Sequence, residues 1–281
     1  MTTPVRRGST APAVRFGALL RAWRGHRRLS QLELSLAAGL SQRHLSFLET
    51  GRSAPSRTSL LALCEALDVP LRERNAMLEA AGFSAAYPEQ RLEDADLARF
   101  RRALQAALDF QEPFPALVLD GRWNLVMANQ GALRFFSRFV DLAGLLERPP
   151  AAPDFGMIRL CLDPEGLRPF VVNWEDLAQA LLQRVRRALA AAPREEGLAG
   201  LLEDMLATPG IPDSWRRPDF AKPPAPALEL VLQEGERRHR FFTMLAHFGA
   251  PQSVTLEELS VESFFPADEA TRRWFTEAEP T

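Results

Sequence analysis

The chain has 281 residues, 46% of them hydrophobic and 25% charged, with a formal charge of −2 and a pI near 6.2, which leaves room for two domains in an ordinary soluble protein. No apolar run approaches the ~20 residues needed to cross a bilayer, and the arginine-rich start lacks the apolar stretch of a signal peptide. Cys64 and Cys161 are too few and too far apart for a disulfide framework or a metal knuckle, so the expectation is a cytoplasmic protein with buried free thiols.

Residues 1–13 mix Thr, Pro, Gly, Ser and Arg without periodicity and predict a flexible basic arm, whose Arg6 and Arg7 can reach phosphates. A first helix over 14–27 carries Phe16, Leu19, Leu20 and Trp23 on one side and Arg21, Arg24, His26 and Arg28 on the other. From Ser30 to Pro55 the pattern is that of two short helices. Leu32, Leu36, Ala37, Leu40, Leu45 and Leu48 recur at helical intervals, interrupted once at Ala38-Gly39-Leu40. Ser30 and Ser41 stand where N-caps belong, and Gly39 can take the positive φ of the corner. Ser56 caps a fourth helix, 57–67, with Leu60, Leu61, Leu63, Cys64 and Leu67 inward, and a fifth spans 71–81 and ends at Gly82-Phe83. Residues 14–83 thus form an all-α, five-helix bundle, followed by a linker over 84–96.

Two helices joined by a tight Gly corner are either a plain αα-hairpin or a helix-turn-helix that lays its second helix in the major groove of DNA. Charge favours the second. Up to Leu60 there are ten arginines against Glu33 and Glu49, a balance of +8, so the rest of a −2 chain carries −10. Moreover Gln31, Ala37, Gly39 and S-x-x-x-L-S-x-L-E-x-G-x-x-x-P-S from Ser41 to Ser56 resemble the phage-repressor and Cro type of helix-turn-helix. The resemblance implies that Gln31 clamps a phosphate while Gln42, Arg43 and Phe47 face base edges, in a DNA-binding set completed by Ser41, His44, Ser46 and Arg52. Side-chain chemistry agrees, since Gln pairs in bidentate fashion with adenine, Arg with guanine, and an apolar ring can touch a thymine methyl. Glu49 would be repelled by DNA, so its carboxylate is expected to support the arginine-rich first helix or to cap the following loop.

A helix over 94–110, with Leu97, Phe100, Leu104, Ala107 and Leu108 inward, leads into the second unit, 97–281. Strand formers at 116–119 and 123–128 flank Asp120-Gly121, a hairpin signal, and Asn129 then caps a helix bearing Leu133, Phe135, Phe136 and Phe139. The middle is helical: 154–162, a long amphipathic helix over 173–190 with Leu177, Leu181, Leu182, Val185 and Leu189 on one side, and 195–206. A proline-rich loop over 209–226 follows. Three more strands, 228–233, 240–248 and 253–264, turn at Glu234-Gly235-Glu236 and at Phe248-Gly249-Ala250-Pro251. The expected fold is therefore α+β: a helix-turn-helix bundle, then a five-stranded antiparallel sheet with helices packed on one face.

Strand, turn, strand and then Asn leading into a helix resembles the opening of a PAS domain. The likeness widens with R-H-L-S-F-L-E-T-G-R-S-A-P-S-R from Arg43, V-P-L-R-E-R-N from Val69, P-A-L-V-L-D-G-R-W-N-L-V-M-A-N from Pro115, G-L-R-P-F-V-V-N-W from Gly166 and H-F-G-A-P-Q-S-V-T-L-E-E-L from His247. Together these blocks resemble MmyB-like transcription regulators. The chain departs from that pattern where a histidine is expected near Asp163, and around Pro251, where A-P-Q-S replaces T-P-x-D. The resemblance implies a ligand-responsive DNA-binding regulator with a fatty-acid-like apolar ligand in a PAS-like cavity; because one recognition helix covers only a half-site, binding to the operator as a homodimer is expected, and the lack of a long apolar run predicts no membrane partner. Candidates to line that cavity are Trp123, Leu125, Met127, Phe135, Phe136, Trp174, Phe241 and Met244; strand alternation puts Trp123, Leu125 and Met127 on one face. Arg159 and Asn173 are candidates for a carboxylate head. Each also has a packing role open to it: core for the aromatics, a helix-surface ion pair for Arg159, an N-cap for Asn173. A lipid-binding sensor or interaction module without operator binding is the alternative reading.

Enzymatic motifs are missing. His239 and His247 share strand parity but lie eight residues apart, roughly 27 Å in an extended strand, too far to hold one metal. Neither G-x-S-x-G, H-E-x-x-H nor a Gly-rich phosphate loop occurs.

Overall fold

The computed structural model describes residues 11–141, 156–193, 196–217 and 227–277. The basic arm with Arg6 and Arg7, the expected helix starts at Asp154 and Glu195, and the later part of the proline-rich stretch lie outside the described residues. The chain divides into two units, residues 1–89 with 252–254, and residues 90–251 with 255–281.

The first unit is five helices: α1 (Pro12–His26), α2 (Gln31–Ala37), α3 (Gln42–Glu49), α4 (Arg57–Ala66) and α5 (Leu71–Ala80). Their ends are fixed by side chains. Ser30 Oγ accepts from the Glu33 amide at 3.1 Å while the Glu33 carboxylate accepts from the Ser30 amide at 2.7 Å, a reciprocal capping box. Ser41 and Ser56 cap α3 and α4 from one side only, accepting from His44 N at 3.2 Å and Ser59 N at 3.0 Å. Gly39 takes the corner at φ 67°. Inside, Phe16, Leu20, Trp23, Leu34, Leu45, Leu48, Leu60 and Leu63 are fully or nearly fully buried; burial of each large side chain is worth roughly 1.5–3 kcal/mol. At Gly17 the backbones of α1 and α3 come so close that an added Cβ would lie 2.4 Å from the Leu48 carbonyl oxygen.

One feature of α2 differs from the periodic pattern. Leu32 and Leu36 are 52% and 73% exposed, and the buried residues are Leu34 and Ser35. The inward stripe of this short helix runs through Gln31, Leu34, Ser35 and Ala38, the i, i+3, i+4, i+7 positions. Two of the four are polar, so counting apolar residues selects the wrong face. Ser35 tolerates burial because its hydroxyl donates to Leu32 O at 2.9 Å.

The second unit holds strands β1 (Ala116–Leu119), β2 (Leu125–Ala128), β3 (Glu229–Glu234), β4 (Arg237–His247) and β5 (Ser260–Pro266), antiparallel in the order β2-β1-β5-β4-β3. Helices cover both faces rather than one. Against one face lie α7 (Gln130–Phe136), α8 (Met157–Leu162), α9 (Trp174–Ala191), α10 (Glu196–Ala207) and α12 (Glu269–Glu277), sharing a core with Leu117, Leu119, Leu232, Phe241 and Phe264. Against the other lie α6 (Ala98–Gln111) and α11 (Val254–Glu258), whose Leu104, Leu108 and Leu256 pack on Ala116, Val118 and Val261. Consequently all four residues of β1 are buried. Asn129 ties these layers together: Oδ1 accepts from Ala116 N at 3.0 Å and Ala132 N at 2.8 Å, and Nδ2 donates to Phe114 O at 2.8 Å and Leu108 O at 3.2 Å.

Three segments depart from expectation. The stretch 253–264 is α11 followed by β5, because Leu256 and Leu259 turn into the α6 side of the core. Helix α12 was not expected; Asp268 caps it, accepting from Thr271 N at 2.7 Å. The first hairpin turns through Asp120 to Asn124, with Asp120 Oδ1 accepting from Arg122 N at 2.8 Å and Asn124 N at 2.9 Å. Trp123 sits in that turn at φ 60°, not in the strand.

Candidate nucleic-acid interface and ligand pocket

The outward side of α3 is defined by what its inward side holds. Leu45 and Leu48 enter the core, and Glu49 follows them into it. Gln42 and Arg43 are exposed at the other extreme, one turn before Ser46 and Phe47, which are half-buried, as is His44. Helical spacing therefore puts Gln42 with Ser46 and Arg43 with Phe47 in two adjacent rows. The Arg43 guanidinium lies 5.4 Å from the Phe47 ring centroid, so a flat aromatic face steadies the cation. Ser41, at the helix start, is exposed and holds the cap, and Arg52 is exposed in the loop after α3.

The buried end of α3 is an electrostatic anchor. The Glu49 carboxylate has no solvent exposure and accepts from Arg24 Nε at 2.5 Å, Arg24 Nη2 at 3.1 Å and Gln31 Nε2 at 2.8 Å, with Arg21 Nε 3.8 Å away. Burial pushes the pKa of Glu49 up, but the hydrogen bonds from Arg24 and Gln31 and the charges of Arg24 and Arg21 outweigh it and hold the carboxyl below its ordinary range. The hydrogen bond to Glu49 in turn raises Arg24. Arg24 also donates to Leu29 O at 2.8 Å and Arg21 to Glu49 O at 3.2 Å. Of the two roles expected for Glu49, it takes support of the first helix. Gln31 is half-buried and one of its amide protons is spent on Glu49; its exposure to a phosphate is correspondingly partial. Sequence reasoning missed this pairing, although Gln31 and Glu49 were each singled out.

In the second unit the expected pocket residues divide. Phe135, Phe136 and Phe241 are wholly buried; Phe135 alone has the rings of Phe136, Phe139, His239, Phe241 and Phe275 within 5.1–5.3 Å, which leaves that region filled. Trp123 is buried and Leu125 packs beside the same core. Met127 does not share their face: it packs on the α6 side, because the register slips by one residue between Val118 and Leu119, which pair with Met127 and Leu125. A bulge of this kind reverses the alternation. Met244 is 64% exposed: it lies three residues from Phe241, on the opposite side of β4, in the part of the strand from Phe242 to His247 that is exposed throughout.

Arg159 pairs with Asp204 of α10 in a short contact. Asn173 makes no cap; its amide donates to Glu229 O at 2.5 Å and accepts from Val231 N at 3.1 Å, clamping β3. Trp174 does border an open space. With Pro164, Arg168, Pro169, Pro209 and Gly210 it borders a shallow, solvent-open cleft of about 510 Å³, in which the Arg168 guanidinium lies 3.9 Å from the Trp174 ring centroid. Arg168 was not singled out from sequence.

Burial pushes the Cys64 and Cys161 thiols up to about 12, which leaves them protonated and poor nucleophiles. Among the described residues no cluster of three His, Cys, Asp or Glu could hold a metal, and no helix is long and apolar enough to cross a membrane.

Comparison with known families places two matches along the chain. The helix-turn-helix family matches residues 20–74, and the family described as the MmyB-like transcription regulator ligand binding domain matches residues 100–278. The chain belongs to the MmyB-like transcription regulators. This MmyB-like regulator is also similar in part to three solved structures. The restriction-modification controller protein C.AhdI from Aeromonas hydrophila is 35% identical over 23% of this chain and 98% of its own, with a TM-score of 0.22. Two structures of the clp gene regulator ClgR from Corynebacterium glutamicum are 32% and 26% identical, cover 26% and 38% of this chain and 94% and 99% of their own, and each have a TM-score of 0.24. Comparison with curated proteins gave no match. By its two family matches the regulator joins a DNA-binding helix-turn-helix unit to an MmyB-like ligand-binding unit.

Proposed function

We propose that this regulator recognises an operator sequence through the exposed rows of α3, as a homodimer, in the cytoplasm, and that a small apolar ligand of fatty-acid type in the second unit modulates binding. The observation that carries the first part is the contrast along one eight-residue helix: Gln42 and Arg43 are exposed while Leu45, Leu48 and Glu49 are buried. Such a helix is anchored from behind and presents side chains that pair in bidentate fashion with base edges, Arg43 as a double donor and Gln42 as donor and acceptor. Ser41, His44, Ser46 and Arg52 serve backbone positioning in this reading, and Gln31 meets a phosphate with its remaining amide proton. One helix reaches only a half-site, which is why a two-fold pair is proposed.

For the ligand, the cleft at Trp174 supports the reading best. Pro164, Pro169, Pro209 and Trp174 supply apolar walls, and Arg168 supplies a fork of donors for a carboxylate head. Arg168 replaces Arg159 and Asn173 in that role: Arg159 is paired with Asp204 and both ends of the Asn173 amide are held by β3, whereas Arg168 spends one guanidinium nitrogen on Pro209 O and has no other hydrogen-bond partner among the described residues. Fluorescence anisotropy with a selected duplex and its scrambled form tests the proposal, read from 50 to 200 mM salt with and without a saturated fatty acid. Steep salt dependence, preference for the selected duplex and a change on adding fatty acid are expected. Equal affinity for both duplexes would leave only a ligand-binding module.

A further inference from the structure

The second unit has another cleft, away from Trp174. The start of β4 and the face of α12 enclose about 530 Å³ between Arg237, Arg238, His239, Arg273, Trp274 and Glu277. Three guanidinium groups face one carboxylate there, and all three are incompletely neutralised. Arg238 Nε donates to the neutral Gln233 amide oxygen at 2.9 Å. Arg273 shares the exposed Glu269 carboxylate with Arg272, at 3.4 and 3.7 Å, a solvent-screened pair of small worth. Arg237 has no carboxylate partner among the described residues.

Behind the arginines lies a polar group that packing does not explain. His239 is 2% exposed, and its ring stands edge-on to Phe135 and Trp274, with centroids 5.1 and 5.0 Å away. Nε2 meets Glu234 Oε2 at 3.2 Å, while Nδ1 is buried with no hydrogen-bond partner among the described residues. Buried ring nitrogens are seldom left so. The charges around it are Glu234 at the end of β3, Arg138 after α7 in a short pair with that same carboxylate, Arg237 on β4, and Asp268 before α12. Burial lowers the His239 pKa, Glu234 raises it and the two arginines lower it, with a net fall, so the free protein disfavours the charged ring behind its cationic mouth.

We propose that this cleft binds a small oxyanion, a phosphate or carboxylate group on a compact molecule, at a site separate from the apolar ligand's. Arg237 and Arg273 grip the anion from β4 and α12, Trp274 forms one wall, and His239 closes the back. An anion there adds a second negative charge to that of Glu234, so binding favours the protonated ring, takes up a proton at His239 and tightens as pH falls through the imidazole range. The cleft is concave and walled on two sides, which suits a compact anion better than a duplex backbone.

The test follows the imidazole signals of the full-length chain, which has only four histidines, by NMR during titration with inorganic phosphate and, separately, citrate, with sodium chloride at matched ionic strength as control. A saturable shift and an upward move of the His239 pKa are expected with at least one of the two; response to phosphate alone assigns a phosphate group, to citrate alone a carboxylate. Arg237→Ala with Arg273→Ala should weaken the response at least tenfold with the melting temperature unchanged, since both side chains are exposed, whereas Arg272→Ala should leave it intact. A shift reproduced by sodium chloride, or unaltered in the double variant, overturns the proposal.

Discussion

Replacing Glu49 by Ala tests how α3 is held. The substitution removes a carboxylate with no solvent exposure and three hydrogen bonds, two from a guanidinium that is itself only 19% exposed and one from Gln31. Arg24 keeps Leu29 O as a partner but loses its counter-charge. Breaking a buried pair from one side costs about 3–5 kcal/mol; because Arg24 retains a route to water, the lower end, about 3 kcal/mol, is expected. For a unit of this size that lowers Tm by more than ~10 °C. Glu49→Gln keeps the shape and some hydrogen bonding and should lose about half as much. The pH dependence has a definite sign: a carboxyl held below its ordinary range stabilises the fold fully above its unfolded pKa, ~4.3, and loses that contribution as pH falls through the folded pKa. Calorimetry of wild type and variants from pH 7 to pH 3 therefore should show a gap for Glu49→Ala that narrows in acid. A gap below ~0.5 kcal/mol at pH 7, or one that widens in acid, would refute the anchoring role.

Two other substitutions probe the packing that positions each unit. Gly17→Ala raises helix propensity by about 1 kcal/mol, yet its Cβ would meet the Leu48 carbonyl oxygen at 2.4 Å, so a net loss of about 1–3 kcal/mol is expected from overpacking; a stabilised variant in urea unfolding would contradict the close approach of α1 and α3. Asn129→Ala strands Ala116 N, Ala132 N, Phe114 O and Leu108 O at once, and should cost about 3 kcal/mol or more. A loss under ~1 kcal/mol by thermal unfolding would mean that Asn129 is not the hub of the second unit.

What the sequence disclosed most clearly were features written in single residues. Ser30, Ser41 and Ser56 cap helices where their spacing said they would, Gly39 and Gly82 take positive φ at the corners, and β1 begins at Ala116 and ends at Leu119. The turn at Gly235 likewise joins β3 to β4 with Glu234 opposite Arg237. Features that depend on a partner elsewhere in the chain were not legible. The face of α2 that packs inward is chosen by the rest of the bundle and includes Ser35, so Leu32 and Leu36 looked like core and are not. The register slip in β1 and β2 sends Met127 to the α6 side, which no alternation rule anticipates. Asn173 stands where an N-cap should and instead clamps β3, a contact over fifty residues away in sequence. Helix α12 did carry a local signal, Asp268 three residues before Thr271, and with it Trp274, Phe275 and the cleft beside His239.

The central claim is that α3 reads bases with Gln42 and Arg43, and selection of binding sites from random duplex DNA tests it most directly. Wild type should enrich a two-fold symmetric site with half-sites ~10 base pairs apart, and Arg43→Ala should lose preference at one position in each half-site, by about 1–3 kcal/mol, with the flanking positions unchanged. An enriched site identical for wild type and Arg43→Ala, or no enrichment for wild type, would contradict it.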